Sequence, residues 1–266
     1  MGLFSKKEKQ KPTFTAGKGE NDKTLHKNLE FTATEQYKLI RANLDFTIHE
    51  DDKCPVIGVT SSMRGEGKST TAVNLAYVCA EKGSKVLLID ADLRIPSVAK
   101  KLDIESTPGL ADLLRVKDAK LFPFPTYLMD NWNILPSGDI PPNPSELLGS
   151  SRMESLVEKL REMFDYIIVD LPPVNIVSDA IAISDYLSGM IVVIREGHTE
   201  KKELERCFRQ LKLADVKILG CILNEADSGG GSYNKYRRYR YYRNYRYYRY
   251  YQNDYYYQAA PKEEKK

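Results

Sequence analysis

The feature that most constrains this chain is the stretch from Val56 to Thr71, which reads VIGVTSSMRGEGKSTT. Its first five residues are almost wholly apolar and β-branched, which predicts a strand covered on both faces within a parallel sheet. After Ser69 the apolar residues recur with helical spacing, and Gly83 is placed to end that helix. The stretch therefore predicts a strand, a glycine-rich loop and a helix in direct succession.

The loop between this strand and helix has the residue types of a nucleoside-triphosphate site. Backbone N–H groups at glycines can close around phosphate oxygens, Lys68 can reach the β- and γ-phosphates, and Ser69 can ligate Mg²⁺. Ser62 stands where the strict G-x-x-x-x-G-K-[ST] pattern has its first glycine, so a glycine-rich turn without function is the alternative. We expect Lys68 to lie on a solvent-facing loop. The predicted nucleotide-binding residues of the loop are Arg64, Gly65, Glu66, Gly67, Lys68, Ser69 and Thr70.

Acidic residues follow two further apolar runs. The run from Lys85 ends in Asp90, Asp92 and Arg94, and the run from Tyr166 ends in Asp170. Because ligands of an open α/β sheet bind beyond the carboxyl ends of its strands, we expect these side chains to meet the phosphate loop. The alternative is a charged loop after a strand, and a lone acid such as Asp170 is weak evidence until it joins a set.

Alternation of strands and helices predicts the fold class. A helical pattern begins at Phe31, further strands are predicted at 132–135, 190–194 and 216–223, and a long amphipathic helix is predicted to end near Phe164. This order predicts an α/β, P-loop NTPase-like, doubly wound and mostly parallel sheet with helices on both faces. We divide the chain into a basic, disordered segment (1–30), a nucleotide-binding domain (31–226) and a flexible Gly/Ser linker with a tyrosine-rich tail (227–266).

Composition indicates the compartment and the charge distribution. The chain has no apolar run of about 18–20 residues, no signal-peptide pattern and four cysteines without C-x-x-C spacing, so we expect a reduced, cytoplasmic protein. Its net charge of +3 is unevenly distributed, with +3 in 1–30, −6 in 31–226 and +6 in 227–266. Two basic ends flanking an acidic body suggest an anionic partner surface or attraction between subunits.

Thirteen of the eighteen tyrosines lie in the tail, interleaved with six arginines. Such a tail is an adhesive low-complexity segment, a nucleic-acid arm with stacking aromatics, or a row of phosphoacceptors, and composition alone does not separate these. A nucleotide site on the same chain favours phosphoacceptors. The predicted acceptors are Tyr233, Tyr236, Tyr239, Tyr241, Tyr242, Tyr245, Tyr247, Tyr248, Tyr250, Tyr251, Tyr255, Tyr256 and Tyr257.

Together these residues resemble the bacterial tyrosine kinases, of the soluble type that serves capsule and exopolysaccharide biosynthesis. The resemblance is carried by the loop from Gly65 to Thr70, the run from Asp90 to Arg94, the run from Ile167 to Pro173 and the tyrosine cluster. It extends to Asn143-Pro-Ser-Glu-Leu-Leu and to Asn224, which it places near the adenine.

The resemblance implies ATP-dependent phosphorylation of protein tyrosine with Mg²⁺. Ser69, Asp92 and Asp170 then hold the metal directly or through water. Lys68 holds the phosphates, Asp90 is our candidate for accepting the phenol proton, and Arg94 supports transition-state charge.

Partners are implied as well: a transmembrane activator that recruits the protein to the inner face of the membrane, a homo-oligomer and a protein-tyrosine phosphatase, with no nucleic acid expected. The family builds a ring through Glu-x-x-Arg-x-x-Arg, where this chain has Glu35, Lys38 and Arg41. Lysine lacks the fork that arginine offers a carboxylate.

A partition or cell-division ATPase of the ParA/MinD type shares the predicted fold and is the main alternative function. Those proteins carry a signature lysine five positions before the invariant one, where this chain has Met63. They also lack a tyrosine-rich tail. A nucleotide-dependent protein whose Tyr/Arg tail binds nucleic acid is the other alternative.

Overall fold

Seven strands form one sheet in this computed structural model, which describes residues 31–48, 51–116, 124 and 126–226. In chain order the strands are β1 (Val56–Ser61), β2 (Val86–Asp90), β3 (Thr126–Tyr127), β4 (Met129–Leu135), β5 (Tyr166–Asp170), β6 (Gly189–Arg195) and β7 (Ile218–Asn224). They lie in the order β3-β4-β2-β5-β1-β6-β7. All neighbours pair parallel except β3 and β4. The predicted mostly parallel α/β sheet is confirmed.

Helices connect these strands within the described part of the chain. They are α1 (Phe31–Thr47), α2 (Lys68–Glu81), α3 (Val98–Leu102), α4 (Leu110–Arg115), α5 (Pro144–Leu148), α6 (Ser151–Arg161), α7 (Asp179–Ala182) and α8 (Lys201–Leu213), with a 3₁₀ turn at Ser184–Tyr186. The stretch predicted as a loop followed by one long helix contains two helices, because the chain breaks at Gly149. Ser150 then starts α6, accepting a hydrogen bond from the backbone N–H of Met153.

Apolar layers cover both faces of the sheet. Strands β1 and β2 are buried along their whole length, as their continuous apolar sequences predict. Leu87 and Ile89 of β2 belong to one core with helix α6, whereas Val86 and Leu88 belong to a second core with helix α2. This double cover fixes the positions of the strand ends from which the functional loops emerge.

Helix α1 packs on the core that contains α2 through Leu44, its one buried residue, and through the partly buried Tyr37 and Ile40. Polar contacts add to this packing. Arg41 donates a hydrogen bond to the carbonyl of Val78, and Asp45 pairs with Lys82 at 2.7 Å. Lys38 lies 3.6 Å from Glu81 and 3.3 Å from Glu35. Lys38 and Arg41, two of the residues predicted to take part in assembly, therefore contact α2 of their own chain.

Within the described residues, none of the helices has the length and apolar character needed to cross a membrane. The predicted N-terminal segment 1–30, the linker and the thirteen tail tyrosines lie outside the described residues.

Candidate active site

The predicted site residues of three strands converge at one edge of the sheet. Strand β1 lies between β5 and β6, and β2 lies beside β5, so the carboxyl ends of these strands are neighbours. Asp90 at the end of β2 pairs in register with Asp170 at the end of β5. The phosphate loop leaves β1 at the same edge and enters α2 at Lys68. The topology thus brings together residues that are about 100 positions apart in the sequence.

Two glycines give the phosphate loop a backbone that other residues rarely adopt. Gly65 has φ +81° and Gly67 has φ +94°, both in the left-handed region. A Cβ added to Gly67 would lie 2.0 Å from Nδ2 of Asn224 at the end of β7. That Nδ2 donates a 3.0 Å hydrogen bond to the carbonyl of Glu66. Asn224, predicted to lie near the adenine, is therefore in contact with the loop.

Glu66 is fully buried and holds the loop from within. Its Oε1 accepts hydrogen bonds from the hydroxyls of Ser62 at 2.8 Å and Thr199 at 2.6 Å. Its Oε2 accepts from the backbone N–H of Met63 at 3.0 Å. The serine that departs from the strict glycine pattern is thus an anchor for the loop, since its hydroxyl binds the carboxylate. Hydrogen bonds to a charged group contribute about 1.5–3 kcal/mol each.

Lys68 lies among acids. Its Nζ is 2.8 Å from Asp92 Oδ2, 3.4 Å from Asp170 Oδ1 and 3.3 Å from the Ser69 hydroxyl. Its side chain is only 12% exposed, although Arg64 and Gly65 of the same loop are exposed to solvent. Burial lowers the pKa of the ammonium, but Asp170 and Asp92 outweigh that effect and raise it. The lysine therefore neutralises two buried carboxylates.

Asp90 is the most enclosed of the acids in its loop. Its Oδ2 accepts hydrogen bonds from the backbone N–H groups of Ser97 at 3.1 Å and Val98 at 3.0 Å, at the start of α3. Its Oδ1 accepts a longer bond of 3.3 Å from the N–H of Asp92. Burial, together with the charge of Asp170, raises the pKa of Asp90 to about 7. Asp90 is thus both a support for the following loop and a carboxylate of raised basicity.

The donor set at this edge fits Mg²⁺. Oδ2 of Asp170 is buried and has no hydrogen-bond partner among the described residues, which leaves a carboxylate oxygen open to a cation. Asp92 and the Ser69 hydroxyl lie around the same lysine. No group of three His, Cys, Asp or Glu side chains forms a complete metal cage in the described ranges. Mg²⁺ usually needs no such cage, because one or two carboxylates and nucleotide phosphates suffice.

Arg94 forms an ion pair that the sequence analysis did not predict. Its guanidinium binds the buried carboxylate of Asp179 through two hydrogen bonds, of 2.8 and 3.0 Å. Ser145, from the Asn143-Pro-Ser motif, donates to the same carboxylate and lies 3.3 Å from Arg94. Arg94 therefore holds the loop after β2 to helices α5 and α7.

Sequence reasoning missed the contribution of the last residue of β6 and of the loop after it. Arg195 donates to the carbonyl of Gly65 at 3.1 Å, His198 lies 3.4 Å from the carbonyl of Arg64, and Thr199 binds Glu66. Because β6 is the direct neighbour of β1, polar residues at its carboxyl end were a usable signal for this role. The Arg94 partner Asp179 had no such signal, since it lies at the start of a four-residue helix.

Comparison with known proteins gives a family model, sequence relatives and solved structures that agree with a nucleotide-binding kinase. The family model of the AAA domain matches residues 54–217. The chain is 40% identical over 191 residues to the tyrosine-protein kinase YwqD of Bacillus subtilis (strain 168), covering 72% of this chain and 80% of that protein. The solved kinase domain of the Escherichia coli tyrosine kinase ETK superposes with a TM-score of 0.69 at 32% identity, over 76% of this chain and 80% of the other.

The cell-division alternative gives a weaker likeness. The septum site-determining protein MinD of Pyrococcus horikoshii OT3, solved with Mg-ADP, superposes with a TM-score of 0.55 at 25% identity, over 66% of this chain and 72% of the other. It shares the nucleotide-binding fold, but the kinases match more of the sequence and more of the structure. The chain therefore belongs to the bacterial tyrosine kinases, P-loop enzymes that transfer phosphate from ATP to protein tyrosine.

Proposed function

We propose that this kinase phosphorylates its own C-terminal tyrosines, between subunits of a homo-oligomer, and so regulates capsular or exopolysaccharide synthesis and export. The observation that carries the proposal is the cluster at the sheet edge, where Lys68 contacts Asp92 and Asp170 beside Asp90. A phosphoryl-transfer centre and thirteen phenolic acceptors are thereby joined in one chain.

The proposed reaction is a direct transfer. The phenol oxygen of a tyrosine forms a bond to the γ-phosphorus of ATP, while the bond from that phosphorus to the β–γ bridging oxygen breaks and ADP leaves. The phenol proton passes to Asp90, whose raised pKa of about 7 makes it a better acceptor than an ordinary carboxylate. A loose transition state needs little deprotonation early, so positioning contributes more than basicity.

The other residues act on the phosphates. Lys68 and the N–H groups of the loop bind the β- and γ-phosphates, which requires Lys68 to exchange its contacts with the acids for contacts with the nucleotide. Ser69, Asp92 and Asp170 would hold Mg²⁺, which neutralises phosphate charge when bound. Asn224 supports the loop beside the adenine end of the nucleotide, and Arg94 supports transition-state charge from its position on Asp179.

Transfer between subunits is tested with two full-length variants. One carries Lys68→Met, which cannot transfer phosphate, and the other carries Tyr→Phe at all thirteen tail positions, which cannot accept it there. We expect mass spectrometry to find phosphotyrosine on the Lys68→Met chain only when both variants and Mg·ATP are present. Phosphotyrosine absent from this mixture but present in wild-type protein would show that transfer occurs within one subunit. ATP hydrolysis without phosphotyrosine in wild-type protein would favour a partition ATPase.

We further infer that a transmembrane activator recruits the kinase to the inner face of the membrane and that a protein-tyrosine phosphatase reverses its action. The resemblance to the soluble kinases and the basic charge of residues 1–30 support this. Adding the cytoplasmic segment of the activator is expected to raise the phosphorylation rate of the isolated chain. An isolated chain that is already as active as every such mixture would contradict the inference.

A further inference from the structure

Helix α8 presents a row of cations to solvent that has no part in the roles assigned above. The helix has five basic and two acidic side chains, although residues 31–226 together carry −6. Lys202, Arg206 and Arg209 are all exposed, at the i, i+4, i+7 spacing that places them on one helix face. That face lies opposite the buried Cys207 and Leu211, which pack into the core. The row therefore points directly away from the protein.

The acids of the helix do not neutralise this row. Glu205 pairs with Lys201 at 3.7 Å, and the partly buried Glu203 accepts a 3.0 Å hydrogen bond from Asn175. Among the residues that the structure describes, the three cations of the row have no ion-pair partner. Like charges three and four residues apart on a helix destabilise it. An anionic surface laid against the row would remove this repulsion.

A large apolar side chain continues the same row. Leu213 follows Lys202 at i+11 and is 87% exposed. The row from Lys202 to Leu213, which we call the basic face of α8, is about 16 Å long at the rise of an α-helix. Exposed leucine beside lysine and arginine is typical of surfaces that lie on a membrane, because the apolar group enters the headgroup region while the cations stay at the lipid phosphates.

We propose that the basic face of α8 lies directly on an anionic membrane, with its three cations at the lipid headgroups and Leu213 inserted between them. This goes beyond the proposed function, in which another protein supplies the attachment to the membrane. A membrane fits this face better than other polyanions do. An outward helix face offers a phosphopeptide no cleft, and an exposed leucine gains nothing from a nucleic-acid backbone.

The charge of the surrounding protein would orient this contact. Residues 31–226 are acidic as a whole, so an anionic surface repels most of the body and attracts the basic face. The inner leaflet of a membrane carries such a surface, and its attraction falls off within a Debye length. The basic face must therefore touch the membrane closely to contribute.

The test measures sedimentation of the full-length protein with vesicles made of equal parts of phosphatidylserine and phosphatidylcholine. The parent should bind these vesicles and not vesicles of phosphatidylcholine alone. A triple variant with Lys202→Gln, Arg206→Gln and Arg209→Gln should bind the anionic vesicles about a hundredfold more weakly, since each cation at an anionic surface contributes about fivefold.

The matched control removes the same charge from exposed lysines on three other elements. It carries Lys53→Gln before β1, Lys100→Gln on α3 and Lys159→Gln on α6. Its vesicle affinity should fall less than about threefold, because charges away from the contact are screened. The basic segments 1–30 and 227–266 are present in both triple variants, so their attraction cancels in the comparison. Equal ADP affinity in all variants, by titration calorimetry, checks that the fold is kept.

Leu213→Ser separates a membrane from a soluble polyanion. It should lower the vesicle affinity about tenfold, because an inserted leucine loses its apolar burial. Its affinity for a short DNA duplex, used as a polyanion without lipid, should equal that of the parent. Leu213→Met keeps the apolar area and should bind vesicles as the parent does.

Three results would overturn the proposal. The parent might not sediment with anionic vesicles at all. Equal losses in the two triple variants would show that net charge, and not this face, drives binding. Parent-like vesicle binding by Leu213→Ser would show that the face recognises any polyanion. None of these measurements involves tyrosine phosphorylation, so each of the three results leaves the proposed function standing.

Discussion

At the scale of single residues, Lys68 has an electrostatic role besides the phosphate binding proposed for it. Its ammonium neutralises Asp92 and Asp170, whose side chains are 6% and 0% exposed. With nucleotide it is expected to bind phosphate, and the acids are then left to a metal ion. The same lysine therefore stabilises buried acids, which the pattern of the loop alone does not reveal.

We predict that Lys68→Met abolishes phosphorylation and also lowers the free energy of unfolding of the nucleotide-free protein by about 3 kcal/mol. The reason is that it leaves two buried carboxylates without their cation. Urea unfolding measures this change. Lys201→Met is the control, because the Lys201 side chain is 90% exposed. An unfolding free energy equal to that of the wild type would show that the acids become protonated without loss of stability.

The four cysteines give a second prediction at this scale. Cys54, Cys79 and Cys207 are buried, whereas Cys221 is exposed on β7. Burial raises the pKa of the Cys54 thiol to about 11 and of the other two to about 12. Burial raises the pKa of the Cys221 thiol as well, so exposure rather than pKa distinguishes this residue. We therefore expect iodoacetamide at pH 8 to modify Cys221 first in the native protein. Peptide mapping identifies the labelled residue, and rapid labelling of Cys207 would contradict its burial.

At the scale of elements, the sequence predicted those strands whose apolar runs end in functional residues. Strand β5 was found with its bounds unchanged, because Tyr166-Ile-Ile-Val-Asp is covered on both faces. Strand β3, with two residues, has no periodicity to detect. The phosphate loop was predicted from local spacing, whereas its ties to Thr199 and Asn224 depend on sheet order. Contacts of that kind are tertiary, and no local pattern encodes them.

The tie between Glu66 and Thr199 joins the phosphate loop to the loop after β6. We predict that Glu66→Gln lowers the free energy of unfolding by about 1.5–3 kcal/mol, because an amide cannot accept at both ends as the carboxylate does. It should also weaken ADP binding, measured by titration calorimetry. Glu205→Gln, on the exposed face of α8, is the control. Unchanged ADP affinity in Glu66→Gln would mean that the loop keeps its shape without this tie.

Helix α1 gives a prediction about assembly. Lys38 spans Glu35 and Glu81 of its own chain, and a point-charge ammonium offers no fork to a carboxylate of another subunit. Lys38→Arg is expected to shift sedimentation toward larger oligomers, whereas Lys202→Arg on the exposed side of α8 should not. Equal sedimentation of Lys38→Arg and wild type would show that residue 38 of α1 does not control oligomer formation.

At the scale of the whole molecule, phosphorylation can reverse the positive charge of the tail. The segment 227–266 carries +6 and the segment 31–226 carries −6. Each phosphate adds about −1.5 to −2, so roughly four cancel the charge of the tail. We predict that Mg·ATP dissociates the oligomer once more than about four tyrosines are modified. Sedimentation with phosphosite counting tests this, and an oligomer that persists when most sites are modified would exclude charge reversal as the release mechanism.

The bond between Asn224 and Glu66 sets the order in which a newly made chain can become active. These residues are 158 positions apart, so the glycine loop leaves the ribosome long before the strand that completes it. Nascent domains fold as their elements emerge. Five strands, β2 to β6, are synthesised after the loop and before β7, which carries Asn224. A growing polypeptide therefore holds no complete nucleotide site until β7 is in place, which happens only as the tyrosine-rich segment 227–266 is being translated.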